Sequence, residues 1–194
     1  MSSHITSVAS STNFHLRNIS RIRRFIDEDT CKQAVRAMIT SRLDYCNSLF
    51  ANITAKDIQR LQKIQNRSAR LIFRVSRWDH TSPLIRKLHW LPIKERIAFK
   101  ILLLVYKCLN KLAPIYLTEL LHLYIPTRKL RSSNQSLLSV NRTFTVLGDC
   151  AFINAAPVLW NSLPLAIRPS HLVNQFKNNV KTRLFPSLLH PVFI

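Results

Sequence analysis

The chain has 194 residues, with 29 Lys and Arg against 9 Asp and Glu, a formal net charge of +20. Its one glycine, Gly148, excludes glycine-rich phosphate loops and dinucleotide fingerprints and argues against a hairpin-rich barrel, because these need backbone without a Cβ. With 47% hydrophobic and 20% charged residues the chain can bury a core, so it reads as mainly α: a glycine-poor, strongly basic helical bundle.

Residues 1–13, rich in Ser and Thr, are expected to be a disordered N-terminus. Phe14, Ile19, Ile22 and Ile26 lie at helical spacing and predict a first helix. The first 26 residues lack acids and carry Arg17, Arg21, Arg23 and Arg24. That composition also suits a mitochondrial transit peptide, against the plainer reading of a basic helix. Asp27-Glu28-Asp29-Thr30 stops this helix and caps the next. The second helix is expected over about Cys31 to Phe50, with Val35, Met38, Cys46 and Leu49 on its buried side. Thr54 caps a third, running to about Ser76, with Asp57 at its third helical position. Ser82-Pro83 opens a short helix ending near His89. Pro92 starts a fifth, with Ile97, Ile101, Leu104, Val105 and Cys108 inside, and Pro114 starts a short one through about Leu121. These elements form one helical domain over residues 14–124.

Residues 125–170 are irregular and punctuated by Pro157, Pro164 and Pro169. Leu137–Val140 and Thr143–Val146 there could pair as a short β-hairpin near 137–147. A C-terminal helix is expected within 171–185, followed by a tail over 186–194.

Charge is spread along the chain, with 19 basic and 7 acidic residues in 1–100 and 10 and 2 in 101–194. A polyanion, most commonly nucleic acid, is the partner such a body suits. One part of the charge is patterned. Arg60, Lys63, Arg67, Arg70, Arg74 and Arg77 are spaced 3, 4, 3, 4 and 3, which places them on one helical arc of roughly 100°. Ile58, Leu61, Ile64, Ser68, Leu71, Ile72 and Val75 fall opposite. At 1.5 Å per residue the stripe is about 26 Å long. No acid lies between Asp57 and Asp79 to neutralise it. Phosphate contact without base reading is the functional interpretation; a solvated helix face is the alternative.

Catalytic and ligand-binding patterns are wanting. The acids offer no convincing carboxylate pair, no Tyr-x-Asp-Asp is present, and no serine sits in a G-x-S-x-G elbow. The cysteines Cys31, Cys46, Cys108 and Cys150 make no C-x-x-C and have no finger-spaced His, so no metal and no cofactor are expected. Cys31, Cys46 and Cys108 read as small buried hydrophobes of a reducing, intracellular environment, nuclear or cytoplasmic. Trp78, Trp90 and Trp160 are expected as core or hinge anchors, with base stacking the alternative. The apolar run Ile101–Val105 lies between Lys100 and Lys107, far short of the ~20 residues of a membrane span.

Six phrases occur in order. They are Ser41–Leu49 (SRLDYCNSL), Leu61–Leu71 (LQKIQNRSARL), Leu88–Ile93 (LHWLPI), Leu130–Ser133 (LRSS), Leu159–Pro164 (LWNSLP), and Phe176-Lys177 with Lys181–Phe185 (KTRLF). Together they resemble the C-terminal region of reverse transcriptases from LINE-type non-LTR retrotransposons of the jockey and chicken-repeat kind, over about residues 14–185. The resemblance implies a thumb-like and post-thumb helical region holding RNA or an RNA/DNA duplex through phosphates. Palm and endonuclease have no counterpart, so no enzyme activity and no small-molecule substrate are expected. The chain would be a truncated element or a gene model over one. A basic residue common in such sequences after Gly148-Asp149 is replaced by Cys150. A helical protein-interaction fragment and a functionless relic remain the other readings.

Overall fold

In the computed structural model, which describes residues 2–126, 136–170 and 172–185, the first helix α1 spans Ser2–Ile22. It therefore covers the stretch whose composition suggested disorder. Ile5, Ala9, Thr12, Ile19 and Arg23 are buried, with steps of four, three, seven and four residues, a helical stripe. Two of these positions are small and one is polar, so hydropathy alone hides the pattern. Thr12 satisfies its hydroxyl by donating to the Val8 carbonyl at 2.7 Å. Of the apolar residues that predict this helix, only Ile19 is buried; Phe14 and Ile22 face solvent and Ile26 is half-buried.

Asp27 caps α2 (Glu28–Val35), accepting from the Asp29 and Thr30 amides, as expected. The single long helix anticipated after it is broken into α2, a π-helical turn at Arg36–Thr40, α3 (Ser41–Asp44) and a 3-10 turn at Asn47–Phe50. The Ser41 amide donates to the Arg36 carbonyl, an i to i+5 bond. A π turn carries more residues per revolution than 3.6. The buried positions accordingly recur every four residues, at Cys31, Val35, Ile39 and Leu43. Met38, Cys46 and Leu49, placed inside by a 3.6 period, are exposed.

α4 (Ala55–Phe73) starts on Thr54, which accepts from the Asp57 amide at 3.2 Å. It packs against α1 and α2. α5 (Ser82–Lys87) follows, with Thr81 rather than Ser82 at its N-cap and Pro83 in its first turn. The next helix, α6 (Ile93–Leu109), receives its first amide bond from α4: Gln62 Oε1 accepts from Ile93 N at 2.9 Å. Gln65, itself buried, donates to the Leu91 carbonyl at 2.9 Å. Two of the six phrases are thus joined by glutamine side chains.

The described chain divides into two compact units, one of residues 2–47 and 53–94, the other of residues 48–52, 95–126, 136–170 and 172–185. The boundary falls in the first turn of α6, two residues past Pro92. In the second unit, Tyr106 of α6 stacks on Phe176 of α10 (Val173–Leu184) at 4.3 Å between centroids. Trp160 of α9 (Phe152–Asn161) lies 6.0 Å from the same ring. Tyr106 also donates its hydroxyl to the Ser170 carbonyl at 2.9 Å. α7 (Ile115–Thr118) and α8 (Val146–Cys150) complete this unit.

No strand forms among the described residues, so of the alternatives near 137–147 the irregular segment holds. One antiparallel bridge joins Leu123 to Leu138. The other side of Leu138 is taken by Asn161, whose side-chain amide accepts from its N–H and donates to its carbonyl. Thr145 and Val146 enter α8 instead of a strand: Thr145 caps it by accepting from Gly148 N. Pro157 lies inside α9 rather than at a break. The phrase at 130–133 and the tail over 186–194 lie outside the described residues.

Candidate nucleic-acid interface

The amphipathic α4 fixes the basic stripe. Leu61, Ile64, Ser68, Ala69 and Ile72 are buried with Gln65, while Arg60, Lys63 and Arg67 are exposed and Arg70 is half-buried. The helix ends at Phe73, earlier than its period suggests. Arg74 adopts a left-handed conformation, φ 53° and ψ 36°. The Val75 amide reaches back to the Arg70 carbonyl and the Arg74 amide to Leu71, a Schellman-type stop that glycine usually supplies.

An arginine exchange holds this end. Arg23, only 7% exposed, donates Nε to the Leu71 carbonyl at 2.9 Å, Nη2 to Ile72 at 2.7 Å and Nη1 to Ile26 at 2.7 Å. Arg74 returns the contact, with Nη2 donating to the carbonyls of Arg23 and Ile26 at 2.8 and 3.1 Å. Two guanidinium groups at the negative end of a helix dipole are favourably placed. Arg74 tolerates its strained backbone in exchange for these bonds.

Lys63, Arg67, Arg70, Arg74 and Arg77 line one cleft of about 840 Å³ against α1, with Leu16, Leu71 and Val75 giving it apolar surface. A smaller hollow of about 450 Å³ adjoins at Arg67 and adds Arg17 and Asn13. Arg60 is not among the residues lining either hollow; it donates to Thr6 Oγ1 at 2.9 Å. Leu71 and Val75, assigned to the buried face, are half-buried and line the cleft. Arg17 and Arg23 are the site residues the stripe misses. Their signal is the spacing of residues 13, 16, 17 and 20 along one face of α1, continued by residue 23 in the 3-10 turn that follows it.

The stripe ends in a fixed turn. Asp79 N donates to the Ser76 carbonyl at 3.2 Å, and Ser76 N to Asp79 Oδ2 at 2.7 Å. Arg70 Nη2 binds the Asp79 carbonyl at 3.0 Å. Trp78, expected as an anchor in the core, is 79% exposed on this turn, with the Arg77 guanidinium 4.4 Å from its ring centroid. Trp160 is the tryptophan that fills a core.

Nothing in the described residues assembles three metal-ligating side chains. Burial pushes the Cys31 and Cys108 thiols up from their ordinary value, which suits packing rather than nucleophilic use. Cys46, expected to be buried, is exposed. No helix among the described residues is long and apolar enough to cross a membrane. Comparisons with protein-family profiles, with curated proteins and with solved structures find no match.

Proposed function

We propose that this chain is a non-catalytic nucleic-acid-binding module, related to the thumb and post-thumb region of LINE-type reverse transcriptases. Its cleft between α1 and α4 takes the phosphate backbone. The observation that carries the reading is the gathering of Lys63, Arg67, Arg70, Arg74 and Arg77 on one cleft wall, in a chain of net charge +20. Arginine forks onto phosphate through paired donors, while Lys63 contributes a point charge. Such contacts position a nucleic acid without reading its bases.

A mobility shift with structured RNA tests this. The chain binds tightly at low salt. Reversing Lys63 and Arg67 to Glu weakens binding by at least about tenfold and flattens the salt dependence, since each lost phosphate contact removes ~0.9 from the slope on a duplex. Arg60→Glu, outside the cleft lining, has the smaller effect. Equal binding by parent and double variant would make the stripe a solvated face.

A second reading, a protein-interaction surface, draws on the second unit. Leu112, Ile115, Tyr116, Leu123 and Ile125 are all exposed, and exposed large apolar side chains close in sequence are material for an interface. Self-association on size exclusion that Ile115→Glu abolishes would favour it.

A further inference from the structure

We propose that the cleft takes a single strand, and that Trp78 stacks on an unpaired base at its end. This rests on the nucleic-acid reading above and specifies its ligand.

The cleft has two kinds of surface. Arginine and lysine line it, but Leu16, Leu71 and Val75 line it too. A duplex presents phosphates outward and hides its bases, so it would leave that apolar surface facing a polyanion and water. A single strand lays bases on the apolar surface and phosphates on the cations.

Trp78 gives the same answer independently. A tryptophan with no protein role is expected to bury its ring, yet this one is 79% exposed. It is not loose: the turn beneath it is tied by Ser76, Asp79 and Arg70 through the bonds given above, and Trp78 N donates to Ser76 Oγ at 3.3 Å. Arg77 covers one face of the indole at 4.4 Å. The degree of exposure leaves the other face open. Arg77 also lines the cleft, so the indole stands next to the residue at the cleft's end, within one nucleotide's reach of a strand held there. The acid nearest in sequence, Asp79, has its carboxylate on the Ser76 amide. A flat aromatic beside a row of arginines is a stacking platform for a base, and stacking of this kind is indifferent to base identity.

The test compares a labelled single-stranded RNA with the same strand annealed to its complement, binding to parent, Trp78→Ala and Trp78→Phe. Trp78 is solvent-exposed, so both variants retain the fold, which circular dichroism checks. The parent binds the single strand more tightly than the duplex. Trp78→Ala loses about tenfold for the single strand, in the range of one base–aromatic stack, with duplex binding unchanged. Trp78→Phe recovers most of the loss. Single-strand binding equal in parent and Trp78→Ala, alongside retained RNA affinity, would overturn the stacking proposal and leave the nucleic-acid reading standing. Absence of binding to either RNA would overturn both.

Discussion

At the scale of single residues, Arg23 shows how a positive charge can be structural inside a basic chain. It covers three carbonyls, two of them at the open end of α4. Removing it takes the donor from the Ile72 carbonyl and leaves those of Leu71 and Ile26 to Arg74 alone; a buried acceptor without a donor is the costly case for a hydrogen bond. Arg23→Ala should cost on the order of 2–4 kcal/mol in urea denaturation, and Arg23→Lys should not recover it, because one ammonium lacks the planar fork. Asp27 makes a different prediction. Its hydrogen bonds with Thr30, then with the Asp29 amide, hold its carboxyl below the ordinary value of 3.8. A carboxyl lowered on folding contributes stability above its unfolded pKa and loses it as pH falls through the folded one. The stability of the parent should therefore fall between about pH 5 and pH 2. Asp27→Asn should flatten that acid limb, with no change at neutral pH in its slope.

At the scale of elements, the break after Val35 decides which side chains form the core. A continuous α-helix would bury Met38; the π turn at Arg36–Thr40 buries Ile39 in its place. Ile39→Ala should cost about 2–5 kcal/mol in thermal or urea unfolding, and Met38→Ala no more than ~0.5 kcal/mol. Comparable losses at both positions would indicate a regular helix through this segment. The caps at Asp27 and Thr54 were legible in the sequence because capping is local chemistry, set by a few adjacent residues. The π turn was not, since nothing in Arg36–Thr40 marks an i to i+5 bond. α1 was half-legible: its core stripe runs through Ala9 and Thr12, whose small size lets helices approach but gives little hydropathic signal.

At the scale of the whole molecule, nine acids cannot neutralise 29 bases. Lys32 with Glu28 and Asp29, at 2.8 and 3.0 Å, is an exposed surface cluster, which contributes little. The folded chain works against its own charge, and anything that screens that charge or binds it in the native state should stabilise it. Melting temperature should therefore rise with added salt and rise further with a polyanion at the same ionic strength. A polyanion without effect would mean that no organised cationic surface exists in the native state. The division into two units was not legible in the sequence because Pro92 marks only a helix start, and the helical pattern it opens runs on past residue 94, where the first unit ends.

The sequence by itself determined the helical class, the caps, the net charge and the period of the basic stripe. Each of these follows from residue type and from spacings of a few positions, where backbone geometry is fixed. Only the tertiary structure decided which of the six cations share a cleft, that α1 and the turn after it face them with Arg17 at the smaller hollow and Arg23 at the larger, and that Trp78 stands in solvent while Trp160 is buried. Those outcomes depend on which faces of distant segments meet. Arg23 and Leu71 lie 48 residues apart, and no local periodicity encodes a contact of that range.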